Sequence, residues 1–419
     1  MGKQLTIIFH MKIRSLALCA LSISLLPSVA GATDQTLPDI TFNGFGTLGL
    51  ARSSEDQADF RSSVFQPDGV GYSHEWAPHV DSRLGLQLTA NFSERLTAVV
   101  QVVAEKHHDH TYKPELEWAN LGYSFTPDFS MRVGRIVLPT SMVSDSRKVG
   151  YANPWVRPPI AVYSLQALTS SDGVDATYQF RAGEMTGSVQ AFYGNRDFGV
   201  PDLGTWEAKD IYGAFLTTEF GDATLRGGYQ HGNLHSAAIN EFFDLFRQFG
   251  AEGDTIADNY ELSDKHISSW TIGGSYDPGA GFVMGEWYRS SSSSFIGTST
   301  GWYISGGYRI GEFTPYATYG QRDKRRTEES GLDIAALPPP LQPTATTLNG
   351  VLARYLRTND FATLSAGMRW DFRPGFSLKL QFDHVRLGEG SYGDFNNIQP
   401  GFELGSNVNV FSTTLDFVF

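Results

Sequence analysis

Cysteine is almost missing from this chain of 419 residues: the one example, Cys19, lies in the N-terminal leader described below. Without a second thiol, a disulfide framework and a cysteine-ligated metal centre are both excluded. Long apolar runs are missing too. Beyond the leader, nothing approaches the ~18 consecutive apolar residues that mark a membrane helix. Basic residues are outnumbered, 32 Lys and Arg against 45 Asp and Glu, so a nucleic-acid partner is not expected. The metalloprotease signature H-E-x-x-H is also lacking.

What is present divides into a leader and one long remainder. Residues 11–32, "MKIRSLALCALSISLLPSVAGA", have a basic start (Lys12, Arg14), an apolar core and a small-x-small ending, Ala30-Gly31-Ala32. That is the layout of a cleaved secretory signal, with 1–32 removed and Met11 as a possible start. Leu18 precedes Cys19, which does not fit a lipoprotein signal. Loss of Lys3, Lys12 and Arg14, and of no acid, takes the formal charge from -13 to -16. The mature chain is thus expected to be exported, acidic and free of cysteine, yet 13% aromatic and rich in glycine. A transmembrane β-barrel has this composition.

Hydrophobic periodicity is two almost throughout. "DSRLGLQLTANF" sets Leu84, Leu86, Leu88 and Ala90 against Arg83, Gln87, Thr89 and Asn91; "FATLSAGMRWDF" and "FSLKLQFDHV" alternate in the same way. Such dyads predict strands with one apolar and one polar face. Sixteen are expected, beginning with 40–53 and closing with 407–419, most long enough for the ~9–11 residues a tilted strand needs to cross lipid. Tight connections such as "GE" (183–184), "GD" (221–222) and "RPG" (373–375) alternate with long segments at 54–80, 140–172, 236–267, 326–358 and 389–406. Short turns at one end and long loops at the other are the asymmetry of outer-membrane barrels. The expected fold is therefore all-β: one antiparallel transmembrane barrel over 33–419, with rings such as Tyr123, Tyr193, Tyr276, Trp302 and Trp370 at the lipid borders. The chain ends on "STTLDFVF", whose Phe411, Leu415, Phe417 and Phe419 would face lipid while Thr414 and Asp416 face the lumen.

Three motifs invite other readings. "GFGTLG" (44–49) satisfies G-x-G-x-x-G, but it sits inside an alternating strand with no helix after it, so close packing or strand curvature explains it better than a dinucleotide. "HHDH" (107–110) offers metal-ligand types at a strand connection, and "GYSHE" (71–75) places a serine beside a histidine without making a triad. No cofactor, metal or catalytic residue is expected. The segment 140–172 is more informative. It mixes Tyr151, Trp155, Ile160 and Tyr163 with Pro154, Pro158 and Pro159, which an idle surface loop would not need.

The leader, the sixteen strands, the "VGR" (133–135) leading into the third long connection and the final Phe419 together resemble the general porins of Gram-negative outer membranes. The resemblance implies a third loop folded into the pore, a charged wall facing it, and three barrels associated as a homotrimer. Carried over by position, the loop residues are Asp145, Arg147, Lys148, Arg157 and Asp172. Those of the wall are Arg83, Glu105, Arg132, Arg135, Arg226, Arg369 and Lys379. Phe417 and Phe419 would serve as the signal read by the outer-membrane assembly machinery. Lipid and lipopolysaccharide would surround the barrel. The implied function is passive diffusion of small hydrophilic solutes and ions. Arg147, Lys148 and Arg157 depart from an acidic third loop and bring anion preference into view. A substrate-selective channel for an anion, carboxylate or sugar is the near alternative; a barrel enzyme or an adhesin is the distant one.

Overall fold

The computed structural model describes residues 38–419, so the leader at 1–32 lies outside the described residues. Sixteen long strands follow one another: β1 (Asp39–Ser53), β2 (Arg83–Asn91), β3 (Leu96–Glu105), β4 (Glu115–Ser124), β5 (Phe129–Val137), β6 (Ser170–Ala182), β7 (Met185–Val200) and β8 (Gly204–Phe220). The second half comprises β9 (Ala223–His235), β10 (Lys265–Tyr276), β11 (Gly281–Ser292), β12 (Thr298–Tyr308), β13 (Phe313–Lys324), β14 (Phe361–Arg373), β15 (Phe376–Leu387) and β16 (Asn407–Val418). Each pairs antiparallel with its neighbours, and β16 returns to β1 from Val410↔Ser53 to Val418↔Phe45. The sheet is closed. Every expected strand is present, its ends displaced by no more than a few residues.

Closure makes the two faces unequal in the reverse sense to a water-soluble protein. Ile40, Phe42, Leu48, Leu84, Ile272, Leu364 and Phe411 are exposed on the outside, while Thr47, Gln101, Asp175, Thr318, Asp383 and Asp416 are buried within. An apolar exterior around a polar interior is stable only where hydrocarbon, not water, surrounds the wall. Exposed rings gather near the short turns, at Phe220, Tyr276, Tyr308, Phe313 and Trp370, with Trp76, Tyr193 and Tyr212 toward the long loops.

The glycines of "GFGTLG" find their use at the closing seam. A Cβ on Gly44 would lie 2.2 Å from the Phe419 ring, and one on Gly46 would lie 2.3 Å from the Phe417 ring. Phe45, pointing the other way, covers Gly85 of β2 in the same manner. The final backbone amide, on Phe419, donates to Gly44 O at 3.0 Å, and Gly44 N donates to Phe419 O at 2.8 Å. Rings laid flat over glycines fill the space that a missing side chain leaves in a strand.

Two of the long loops depart from what their sequence suggests. Residues 241–254, whose pattern suggests one short amphipathic helix, form parts of two: α2 (Ala237–Arg247) and α3 (Ala251–Tyr260), broken at Gly250 with φ of 74°. The stretch 336–343, whose prolines suggest stiff, extended loop, passes through two tight helical turns into α4 (Gln342–Leu356). The prolines hid this helix, yet Pro is tolerated in a helix's first turn, where its missing N–H has no partner to lose. Ile239, Phe243 and Phe246 of α2 pack with Ile256 of α3 and Leu348 and Leu352 of α4, over Trp206 and Leu234 of the barrel rim.

The seam generates a prediction. Replacing Gly46 by Val forces the Phe417 ring off its seat and overpacks the closure, at a cost of about 1–3 kcal/mol. The heat-modified gel shift of the folded barrel should then occur at lower temperature, while Val at exposed Leu50 of the same face leaves it unchanged.

Candidate functional site

The third loop, 138–169, leaves β5 and enters the barrel. Three sets of contacts fasten it, all to one side of the wall. At the first, Met142 N donates to Glu286 Oε2 at 2.9 Å, and the hydroxyls of Tyr163 and Tyr303 donate to Glu286 Oε1 at 2.5 and 2.7 Å. Arg226 donates to Ser141 O at 2.5 Å beside them. At the second, Lys379 Nζ donates to the carbonyls of Gly150 (2.7 Å) and Trp155 (2.9 Å), and Arg369 to those of Tyr151 (2.7 Å) and Asn153 (3.0 Å). Lys379 also pairs with Asp416 at 3.0 Å, both side chains being 0% exposed.

The third set centres on Arg157, 4% exposed. Its guanidinium meets Asp81 of the first loop at 2.9 and 2.6 Å, Asp383 of β15 at 2.9 Å and Ser412 of β16 at 2.6 Å. Burial opposes its charge, and Asp81 and Asp383 more than restore it, so the group stays a cation. Trp155 lies between these anchors, its indole N–H on Ser305 Oγ at 2.8 Å and its ring edge-on to Tyr303. The four-residue helix α1 (Ile160–Tyr163) then turns the chain back toward β6.

The loop therefore leaves the wall of β2–β7 uncovered. On that side lies a cavity of about 380 Å³, lined among others by Arg83, Glu105, Lys106, Glu117, Arg147 and Lys148. One bridge crosses it: Lys148 Nζ reaches Glu105 Oε1 at 2.7 Å and Glu117 Oε2 at 2.9 Å. Burial would lower the lysine's affinity for its proton, but the two carboxylates outweigh this and raise it. Arg147 has no carboxylate within ion-pair distance among the described residues. It donates to the carbonyls of Tyr163 and Gln166 and lies over the Tyr163 ring.

The expected residues thus separate into groups. Arg83 (3.9 Å from Glu105), Glu105, Arg147 and Lys148 meet around the open side. Arg226, Arg369, Lys379 and Arg157 hold the loop in place. Arg132 pairs with Asp175 of β6, and Asp145, exposed in a tight turn, is near enough to act on it. Asp172 is corrected: the loop ends at 169, and Asp172 belongs to β6, where it pairs with Arg135 of β5 at 2.6 Å. Hydrogen bonding from Ser170 onward makes this stretch wall, although its Ser-Ser-Asp sequence reads as loop.

Sequence reading gave no role in the site to the inward acids Glu117, Glu286, Asp81 and Asp383. Glu117 shares the outward parity of Ala119 and Leu121, but it is the extra residue of a bulge in β4: Gln101 and Val102 of β3 pair with Trp118 and Leu116, which leaves Glu117 unpaired and turned inward. Glu286 and Asp383 do follow the dyads of their strands and could have been found that way.

A buried pair broken on one side costs about 3–5 kcal/mol, because the surviving charge stays buried alone. Lys379→Met is therefore expected to lower the thermal unfolding midpoint in detergent and to expose the third loop to proteolysis. The double variant Lys379→Met with Asp416→Asn should recover most of the loss.

Comparison with known proteins places this geometry. A family model described as Gram-negative porin matches residues 16–389. A search of curated protein sequences finds no match. Among solved structures, the anion-selective porin from Comamonas acidovorans is 11% identical, with a TM-score of 0.54 over 91% of this chain and 100% of that one. OmpF of Salmonella typhi in complex with daunomycin is 10% identical, with a TM-score of 0.53 over 91% of this chain and 97% of that one. A loop-deletion mutant of the Vibrio cholerae outer membrane protein OmpT is 12% identical, with a TM-score of 0.52 over 91% and 99%. At such identity these structures share the fold; the family match covers most of the sequence. The chain belongs to the Gram-negative porin family, and it is an outer-membrane channel for passive diffusion.

Proposed function

We propose that solutes pass between the third loop and the β2–β7 wall, and that this passage favours small hydrophilic anions. The lining of the open cavity carries the reading. Arg83, Lys106, Arg135, Arg147, Lys148 and Arg196 outnumber Glu105, Glu115, Glu117 and Asp197 there, Arg157 being buried and neutralised by Asp81 and Asp383. The mature chain as a whole is acidic, but ions respond to the charges that line the narrow part of their path. Arg147 weighs most because no carboxylate lies within ion-pair distance of it among the described residues, which leaves its charge less offset than that of Lys148. Membership of the porin family points to a channel without a catalytic step.

We further infer a homotrimer. A trimer form of the Vibrio cholerae OmpT, 12% identical with a TM-score of 0.50, supports that reading for a barrel of this kind. Surrounding lipid and lipopolysaccharide are consistent with the apolar girdle.

Reversal potentials in a potassium chloride gradient test the ion preference. The expected sign is that of an anion-selective channel, and Arg147→Gln with Arg83→Gln should bring the ratio toward unity; a cation-selective wild type refutes the proposal. The bridge is tested separately by Lys148→Ala. Its removal should raise single-channel conductance and shift selectivity toward cations, since Glu105 and Glu117 lose their counter-charge. Unchanged conductance would show that the bridge does not narrow the path.

A further inference from the structure

The first loop, 54–82, carries a cluster that the conducting path does not use. Its chain folds back on itself: Asp59–Phe60 pairs with Val70–Gly71. Asp59 accepts from Ser73 N at 2.7 Å and from Ser73 Oγ at 2.5 Å. Gln66 Nε2 donates to Val80 O at 2.8 Å. These bonds bring Asp68, His74 and His79 together, with a ligand atom from each lying within 4.8 Å of the other two.

His79 is only 6% exposed. Its Nε2 stands 2.8 Å from Asp68 Oδ1, yet both atoms are buried and neither has an aligned hydrogen-bond partner. Two polar atoms so close, shut from water and not aimed at each other, normally have a third partner. The second carboxylate oxygen of Asp68 is occupied elsewhere, facing His110 Nδ1 at 3.2 Å and Lys106 Nζ at 3.4 Å. The rings of His74 and His79 cross edge to face at 5.1 Å.

We propose that Asp68, His74 and His79 bind a divalent first-row transition-metal ion at the mouth of the channel. Two imidazoles and one carboxylate suit zinc, nickel or copper, whereas calcium and magnesium take oxygen ligands. With bonds of about 2.1 Å, donors this close subtend roughly 85° at the ion, nearer a square or octahedral site than a tetrahedral one. Water fills the remaining positions on the exposed His74 side. The site is coupled to the passage by covalent neighbours: His79 is followed by Val80, which lines the cavity, and by Asp81, which holds Arg157. A metal on Asp68 also weakens its hold on Lys106, another lining residue.

Copper(II), the strongest binder of the series for such ligands, is the probe. The folded channel in detergent, without a histidine tag, is titrated with it and followed by electron paramagnetic resonance. One tight equivalent with coupling to two imidazole nitrogens is expected. His74→Ala changes an exposed ring and spares the core; it should weaken binding at least tenfold and remove one nitrogen from the spectrum. Asp68→Asn should also weaken binding, and the double variant His107→Ala with His108→Ala should bind as the parent does. Absence of tight binding, parental binding by His74→Ala, or loss of the signal in the His107/His108 variant overturns the proposal.

Discussion

In hydrocarbon no water is available to pair a backbone amide or carbonyl, so every such group must find its partner in the wall itself. The remaining structure depends on that requirement. It selects a ladder that closes on itself, from β1 through β16 and back, because any free edge would leave a row of unpaired groups in lipid. It also explains the seam. Where β16 meets β1, Phe417 and Phe419 lie over Gly46 and Gly44, so the last strand joins the first by backbone pairing and apolar contact together.

A closed wall leaves a lumen whose polar lining must be satisfied in turn. Many of its charges are spent on fastening the third loop: Lys379 with Asp416, and Arg157 with Asp81 and Asp383. Arg226 and Arg369 serve the same end through backbone carbonyls. A count of lumen charges therefore misjudges what a passing ion meets. The relevant field comes from the smaller set left beside the opening, in which Arg147 stands without a carboxylate at ion-pair distance, Arg83 lies 3.9 Å from Glu105 and Lys148 bridges to the wall.

Much of the barrel was legible because period-two alternation is a local signal, repeated in sixteen segments. The loop boundary, the helices and the charge partners were less so, each for its own reason. Ser170–Asp172 become strand only by hydrogen bonding to β5, which no local pattern records. Helix α4 begins behind Pro339 and Pro340 and has Pro343 in its first turn, and its apolar positions are buried by α2 and α3, distant in sequence. Glu117 escapes the parity rule because it is the unpaired residue of a bulge in β4. The loop cations Arg147, Lys148 and Arg157 were found by type alone, but their different fates were not: Arg157 is neutralised by two acids more than 70 positions away, a separation at which composition and spacing carry no information.

The way the third loop is fastened has a consequence for sieving. All three anchor sets lie along one side, so the edge facing β2–β7, which reaches that wall through Lys148, is backed by buried ion pairs, by Trp155 and by hydrogen bonds to successive carbonyls. Such an edge behaves as a stiff panel and not as a tethered string. The largest solute admitted is then fixed by the panel's outline, and the cut-off falls steeply with molecular width instead of tailing off with the excursions of a loose chain.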